Sequence, residues 1–176
     1  MARLKLHFEH TAANITLTHP PINVIDLPMM AELAAAIADA SSRPEITAIV
    51  FRADGPAFSS GVDIAAHTPE HIQEMLTKFH AVIMALVNSP KVTIAVVHGN
   101  CLGGGAELAM VCDMVYTARD AVWGFPEIKL GCYPPVACTG LAALVGQKGA
   151  AELILTGRTI SGDHAVAIGL ATASAR

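Results

Sequence analysis

Charge is scarce in this 176-residue chain. Asp, Glu, Lys and Arg make up 15% of it, and the net charge is −4 with histidines neutral. No Lys/Arg cluster falls on one element, so no nucleic-acid partner is expected. No apolar run reaches bilayer-spanning length, so no membrane partner is expected either. The start, MARLKLHFEH, lacks the apolar core of a secretory signal. A cytoplasmic location is therefore expected. The cysteines, Cys101, Cys112, Cys132 and Cys138, contain no C-x-x-C spacing and are read as reduced thiols. His67 and His71 are four apart, but Pro69 lies between them and no third ligand is apparent. They are read as a surface pair, with no metal site. Hydrophobic residues, by contrast, make up 53% of the chain. That is ample for the core of one domain, taken to span residues 1–176. So little charge implies that some apolar surface is covered by partner subunits or by further chain.

LKLHFEH and AANITLTH alternate apolar and polar residues and predict a β-hairpin. LPMMAELAAAIADASS has amphipathic helical spacing from about Met29. ITAIVFRA, from Ile46, and VTIAVVHG are apolar enough to be buried strands. Between them runs the helical PEHIQEMLTKFHAVIMALVNS, with Pro69 in its first turn and Pro90 at its end. ELAMVCD predicts a short helix, and MVYTA and AVWGF are strand candidates. PPVACTGLAALVG and KGAAELILTG are helical, and ISGDHAVAIGLA supplies a short last helix. Alternating strands and helices predict an α/β layered domain. Two segments share a plan: a continuous apolar strand leads into a glycine-containing turn, FSSGVD in one case and LGGGAEL in the other.

Three successive glycines, Gly103 to Gly105, open a helix that glycine itself disfavours. Close packing at a strand-to-helix turn is one explanation. The other is close approach of backbone N–H groups to a ligand, helped by the helix dipole. Two common phosphate loops do not fit. G-x-G-x-x-G would need a glycine at Leu108, and G-x-x-x-x-G-K finds Gly105 where lysine belongs. A developing oxyanion is the natural alternative, with SSGVD supplying a second donor. Glu107 sits in the first helical turn, where a carboxylate complements the dipole. Glu127, in WGFPEIKLG, reads by itself as a surface partner of Lys129. Two carboxylates beside two glycine turns, in so apolar a chain, favour acid–base work on a bound substrate.

The motifs in order resemble the crotonase, or enoyl-CoA hydratase/isomerase, superfamily. PINVID resembles its P-x-N-x-L entry, and AFSSGVDIAAH its A-F-x-x-G-x-D-I segment. VHGNCLGGGAELAMVCDMVYTA, WGFPEIKLG and LILTGRTISGDHAVAIGL resemble the runs that follow. The resemblance implies a crotonase-like spiral of strand-strand-helix units that binds an acyl-CoA thioester. It also implies that the backbone N–H groups of Val62 and Gly104 form an oxyanion hole. Glu107 and Glu127 fall on the acid–base positions of the hydratases. Ser60, Asp63 and Ile64 would lie along coenzyme A, although Asp63 reads equally well as a turn residue. No cofactor is implied beyond the coenzyme A of the substrate. Family members continue for about another eighty residues of helix that cover the pocket and build trimers or hexamers. By that measure residues 1–176 are the N-terminal core, lacking the C-terminal helical segment.

The sequence departs from the hydratase pattern at GCYPPVA. Pro135 replaces a glycine whose N–H helps hold the catalytic water, and proline has none. Cys132, Tyr133, Pro134 and Pro135 are expected in the acyl-pocket wall. This variant resembles the cyclohexa-1,5-diene-1-carbonyl-CoA hydratases of anaerobic aromatic degradation. A general short-chain enoyl-CoA hydratase, an isomerase or a hydrolase stays open within the superfamily. A non-catalytic acyl-CoA binding domain stays open outside it.

Overall fold

The computed structural model describes residues 2–66, 68 and 70–175. The predicted hairpin is β1 (Leu4–Glu9) and β2 (Ala12–Leu17), paired antiparallel with Leu6 opposite Ile15. In β2 every second residue is buried, as period-two alternation requires of a strand with one face on the core. Helix α1 (Leu27–Ser42) starts two residues before Met29 because Asp26 caps it. The Asp26 Oδ1 accepts the Met29 N–H at 2.9 Å, and Arg3 pairs with the other carboxylate oxygen at 2.8 Å.

Strands β3 (Ala48–Ala53), β4 (Val92–Val97) and β6 (Met114–Ala118) extend β2 in parallel. Parallel neighbours need crossover connections, and α2 (Ile72–Val87) supplies the one between β3 and β4. His67 and Pro69 lie outside the described residues, so neither the histidine pair nor the proline's place in the helix start is described. Helix α2 begins at Ile72, after His71.

A second, three-stranded sheet consists of β5 (Asn100–Leu102), β7 (Val122–Gly124) and β8 (Thr159–Ser161). The chain therefore runs from a strand of the large sheet into one of the small sheet and then into a helix. The sequence β4, β5, α3 (Gly104–Met110) is one such unit. The next is β6, β7 and a 3₁₀ turn (Pro126–Leu130) leading into α4 (Pro135–Thr156). Helix α4 changes course at Gly146, whose φ of 76° breaks the helical geometry where the sequence reads as two helices. Helix α5 (Gly162–Ala167) and β9 (Ala173–Ala175) follow. The sequence reading did not include β9, which pairs with β6 and adds a sixth strand to the large sheet. The result is an α/β spiral of strand-strand-helix units.

The shared plan of the two glycine turns has a structural basis. Ser59, after β3, forms a parallel bridge to Cys101 of β5. The turn after β3 and the turn after β5 therefore lie side by side. Between the layers, Phe51, Phe58, Phe79, Trp123 and Phe125 are fully buried. The indole N–H of Trp123 is satisfied by Thr117 Oγ1 at 3.0 Å.

Candidate active site

Each of the three glycines is required by a different neighbour. Gly103 has φ +51°, and a methyl group there would sit 2.6 Å from Glu127 Oε1. A methyl on Gly104 would sit 2.6 Å from Val62 Cγ2 and 3.3 Å from Val62 N. On Gly105 it would sit 2.7 Å from Ser59 Cβ and 2.8 Å from Ser59 O. Real Cβ atoms do not approach so closely, so the start of α3 can press onto these groups only as bare backbone.

Val62 and Gly104, from separate elements, lie side by side at the resulting hollow. Val62 forms a parallel bridge with Ile25. The bonds of that bridge run from Ile25 N to Gly61 O at 2.9 Å and from Asp63 N to Ile25 O at 3.2 Å. The residue between them keeps its own N–H on the opposite side. Gly104 is the first residue of α3, so its N–H has no acceptor within the helix. Both residues line a cavity of about 350 Å³, together with Gly103, Glu107 and Glu127.

Glu107 is 2% exposed, in the first turn of α3. Its Oε1 accepts the N–H groups of Val136 at 2.8 Å and Ala137 at 2.9 Å. These belong to the first turn of α4, so one helix start holds the carboxylate carried by another. Burial pushes its pKa up to about 7. The Ala137 amide opposes that rise, the nearby charge of Glu127 adds to it, and the Val136 amide again opposes it. Glu127, in the 3₁₀ turn, is half-buried. Its Oε1 faces the Gly103 turn, so the carboxylate points inward and is no simple surface partner of Lys129. The two carboxylates thus border one cavity and feel each other's charge.

The remaining predicted residues divide. Ser60, Ile64, Cys132, Tyr133 and Pro135 all line the cavity. Ile64 is 63% exposed and Tyr133 67%, which puts both at the mouth. Pro134 is the buried N-cap residue of α4 and is not among the lining residues. Asp63 is not among the lining residues, and its Oδ1 accepts the Ala65 N–H at 3.0 Å in an Asx-type turn. The Cys132 thiol donates to the Glu127 carbonyl oxygen at 3.4 Å, and burial followed by the Glu127 charge raises its pKa.

Sequence reasoning missed the wall that α2 contributes: Ile72, Met75, Leu76 and Phe79. Their spacing of three and four is visible in the sequence, but it predicts a core-facing stripe and does not distinguish cavity from core. Among the described residues, no group of three or more His, Cys, Asp or Glu side chains is placed to hold a metal ion. No helix among them is long and apolar enough to cross a membrane.

The chain resembles known proteins along its whole length. A cyclohexa-1,5-dienecarbonyl-CoA hydratase of Thauera aromatica is 35% identical over 156 residues, covering 89% of this chain and 60% of that protein. A probable enoyl-CoA hydratase of Bacillus subtilis is 34% identical, covering all of this chain and 70% of that one. The chain thus spans about 60–70% of the length of these relatives. Among solved structures, that of Pseudomonas aeruginosa DspI superposes with a TM-score of 0.95 at 29% identity, over 99% of this chain and 69% of the other. An enoyl-CoA hydratase of Geobacillus kaustophilus superposes with a TM-score of 0.93 at 31% identity, over 99% of this chain and 68% of that one. The family model for enoyl-CoA hydratase/isomerase matches residues 7–174. With a match of that extent and the fold to go with it, the chain belongs to the enoyl-CoA hydratase/isomerase family.

Proposed function

We propose that this site adds water to a conjugated acyl-CoA thioester. One observation carries the reading: Val62 and Gly104, from different turns, and two carboxylates from different elements line one cavity. The thioester oxygen would accept from Val62 N–H and Gly104 N–H. Hydroxide addition at the β-carbon moves an electron pair toward that oxygen, and the two amides stabilise the enolate as it forms. No side chain need move, because both donors belong to the backbone, one in the bridge to Ile25 and the other at the start of α3.

Glu107 and Glu127 move the protons. The ionised member takes a proton from water as its oxygen bonds to carbon, and the protonated member delivers one to the enolate. A pKa of about 7 places Glu107 where either form is accessible near neutrality. Water must be held by these carboxylates rather than by the start of α4. Pro135 has no N–H, Val136 and Ala137 donate to Glu107, and the Cys138 N–H donates to Pro134 O at 2.9 Å. The Tyr133 hydroxyl stands at the mouth as a further polar group. Coenzyme A would run along Ser60, Asp63 and Ile64, and no other cofactor takes part. The full-length protein would act in the cytoplasm, as a trimer or hexamer.

The finer reading is a cyclic dienoyl-CoA substrate, cyclohexa-1,5-diene-1-carbonyl-CoA, of anaerobic aromatic degradation. Pro135 in the cavity wall supports it, since a stiff wall suits a rigid ring, and Pro134 stiffens the chain just before it. The Thauera aromatica relative supports it as well. Hydroxide would add at the β-carbon and the proton at the far end of the diene. The Bacillus subtilis relative favours a second reading, hydration of short-chain enoyl-CoA esters. Incubation with the cyclic dienoyl-CoA and with crotonyl-CoA separates the two. A hydroxylated ring thioester from the first supports the finer reading. Turnover of crotonyl-CoA alone overturns it and leaves the broader one. A double-bond shift without water uptake would indicate an isomerase, and free acid a hydrolase. Tight binding without any turnover would indicate a binding domain.

A further inference from the structure

We propose that Ser59 is a positioning residue that sets the separation and aim of the Val62 and Gly104 amides without touching substrate. The inference rests on the reading of those amides as acceptors of carbonyl charge. Ser59 is fully buried and stands between the two turns. Its hydroxyl donates to the Asn23 carbonyl oxygen at 2.8 Å and accepts the Gly61 N–H at 3.1 Å. Gly61 immediately precedes Val62. On its other side Ser59 presses on Gly105, the residue after Gly104, at a spacing that admits no Cβ. Its backbone is laced to β5 by Ser59 N to Asn100 O at 3.0 Å and Leu102 N to Ser59 O at 2.9 Å. One side chain therefore touches the immediate neighbour of each amide.

Asn23 makes the anchor rigid. It is also fully buried, with φ of 49°, and all of its side-chain polar atoms are engaged. Its Oδ1 accepts the His19 N–H at 2.8 Å, and its Nδ2 donates to Asp54 O at 2.9 Å and Ala57 O at 2.8 Å. These bonds tie the segment before α1 to the loop after β3. The Ser59 hydroxyl carries that fixed position to Gly61. Without it, Gly61 N–H is left buried with no acceptor and the turn bearing Val62 is free to shift. A small misplacement of a preorganised donor is costly because charge develops at one point in space.

The test compares Ser59→Ala with Thr93→Val. Thr93 is a buried residue whose hydroxyl is likewise hydrogen-bonded twice, to Asp113 Oδ2 and Asp113 N, and it does not line the cavity. Difference infrared spectroscopy on bound butyryl-CoA with an isotope-labelled carbonyl reads how strongly the carbonyl is polarised. The unaltered protein should lower the carbonyl stretching frequency. Ser59→Ala should lose much of that lowering, and kcat on crotonyl-CoA should fall about tenfold to a hundredfold with KM little changed. Thr93→Val should keep the full shift. Ser59→Cys, whose thiol is a weak hydrogen-bond partner, takes the place of the alanine variant should that one not fold. A full carbonyl shift in the Ser59 variant, or an equal loss in Thr93→Val, overturns the positioning role and leaves the two-amide reading standing. No lowering in the unaltered protein overturns that reading, and the positioning role with it.

Discussion

Glu107 is a carboxylate placed where its charge is costly. Between about pH 4.5 and pH 7 the folded protein holds a proton there that the unfolded chain releases. Stability therefore falls as pH rises through that window, and above it the penalty is complete. A shift of this size corresponds to roughly 3 kcal/mol. Glutamine keeps an oxygen for the Val136 and Ala137 amides and carries no charge. Glu107→Gln should therefore unfold at a higher temperature than the unaltered protein at pH 8, with the gap closing near pH 5. Thermal melts across that range check it, and a gap independent of pH would show that burial of the charge is not its cause. The same substitution, like Glu127→Gln, should cut hydration by about a hundredfold or more while acyl-CoA binding persists. Stability gained where activity is lost is the usual signature of a group kept for function. The sequence marked both glutamates, but the amides that hold Glu107 come from α4, twenty-nine and thirty residues further on. No local pattern announces them.

The three-glycine start of α3 is a surface shaped from the outside. Gly104→Ala meets Val62 Cγ2 at 2.6 Å, Phe79 at 3.2 Å and Val62 N at 3.3 Å, and so intrudes on the hollow that the proposed carbonyl would enter. It should abolish binding of butyryl-CoA in calorimetry while the far-ultraviolet circular dichroism of the fold remains. Gly105→Ala meets backbone and a buried side chain that cannot rotate away, and should destabilise the protein by about 1–3 kcal/mol in urea unfolding. A milder cost at Gly105 than at the exposed Gly146 would contradict the packing described here. At Gly146 a methyl group meets nothing within 4 Å and only the φ of 76° opposes it. The long strands and helices were legible because their periods repeat over many residues. Of the three-residue strands, β7 was anticipated within AVWGF, but β5, β8 and β9 were not, and neither was the second sheet. Three residues carry no period, and only pairing partners distant in the chain make them strands.

At the scale of the molecule, binding and stability are linked. A ligand that binds only the folded form at a concentration a hundredfold above its dissociation constant stabilises by about 2.7 kcal/mol. Butyryl-CoA should accordingly raise the melting temperature, and Glu127→Gln should keep that increase if the carboxylate acts on protons as proposed. Loss of the thermal shift together with loss of turnover would mean that Glu127 holds the ligand. The apolar residues Ile64, Leu130 and Tyr133 at the mouth are 57–67% exposed in the single chain. Light scattering with and without acyl-CoA reports whether copies of the chain associate, one of the two covers, beside further chain, that the low charge implies.

Composition, alternation and motif order were enough to establish an α/β chain, its principal strands and helices, and its likeness to the enoyl-CoA hydratase/isomerase family. Those properties are local: a strand's alternation or a glycine's missing side chain is written in neighbouring letters. The sequence could not say that the Val62 N–H is left over from a bridge to Ile25, or that Phe79 of α2 bounds the hollow. Nor could it say that Glu127 turns inward, or that Ser59 reaches Gly61 and Gly105 together. Each of these depends on where segments far apart in the chain come to rest, and only packing of the spiral decides that.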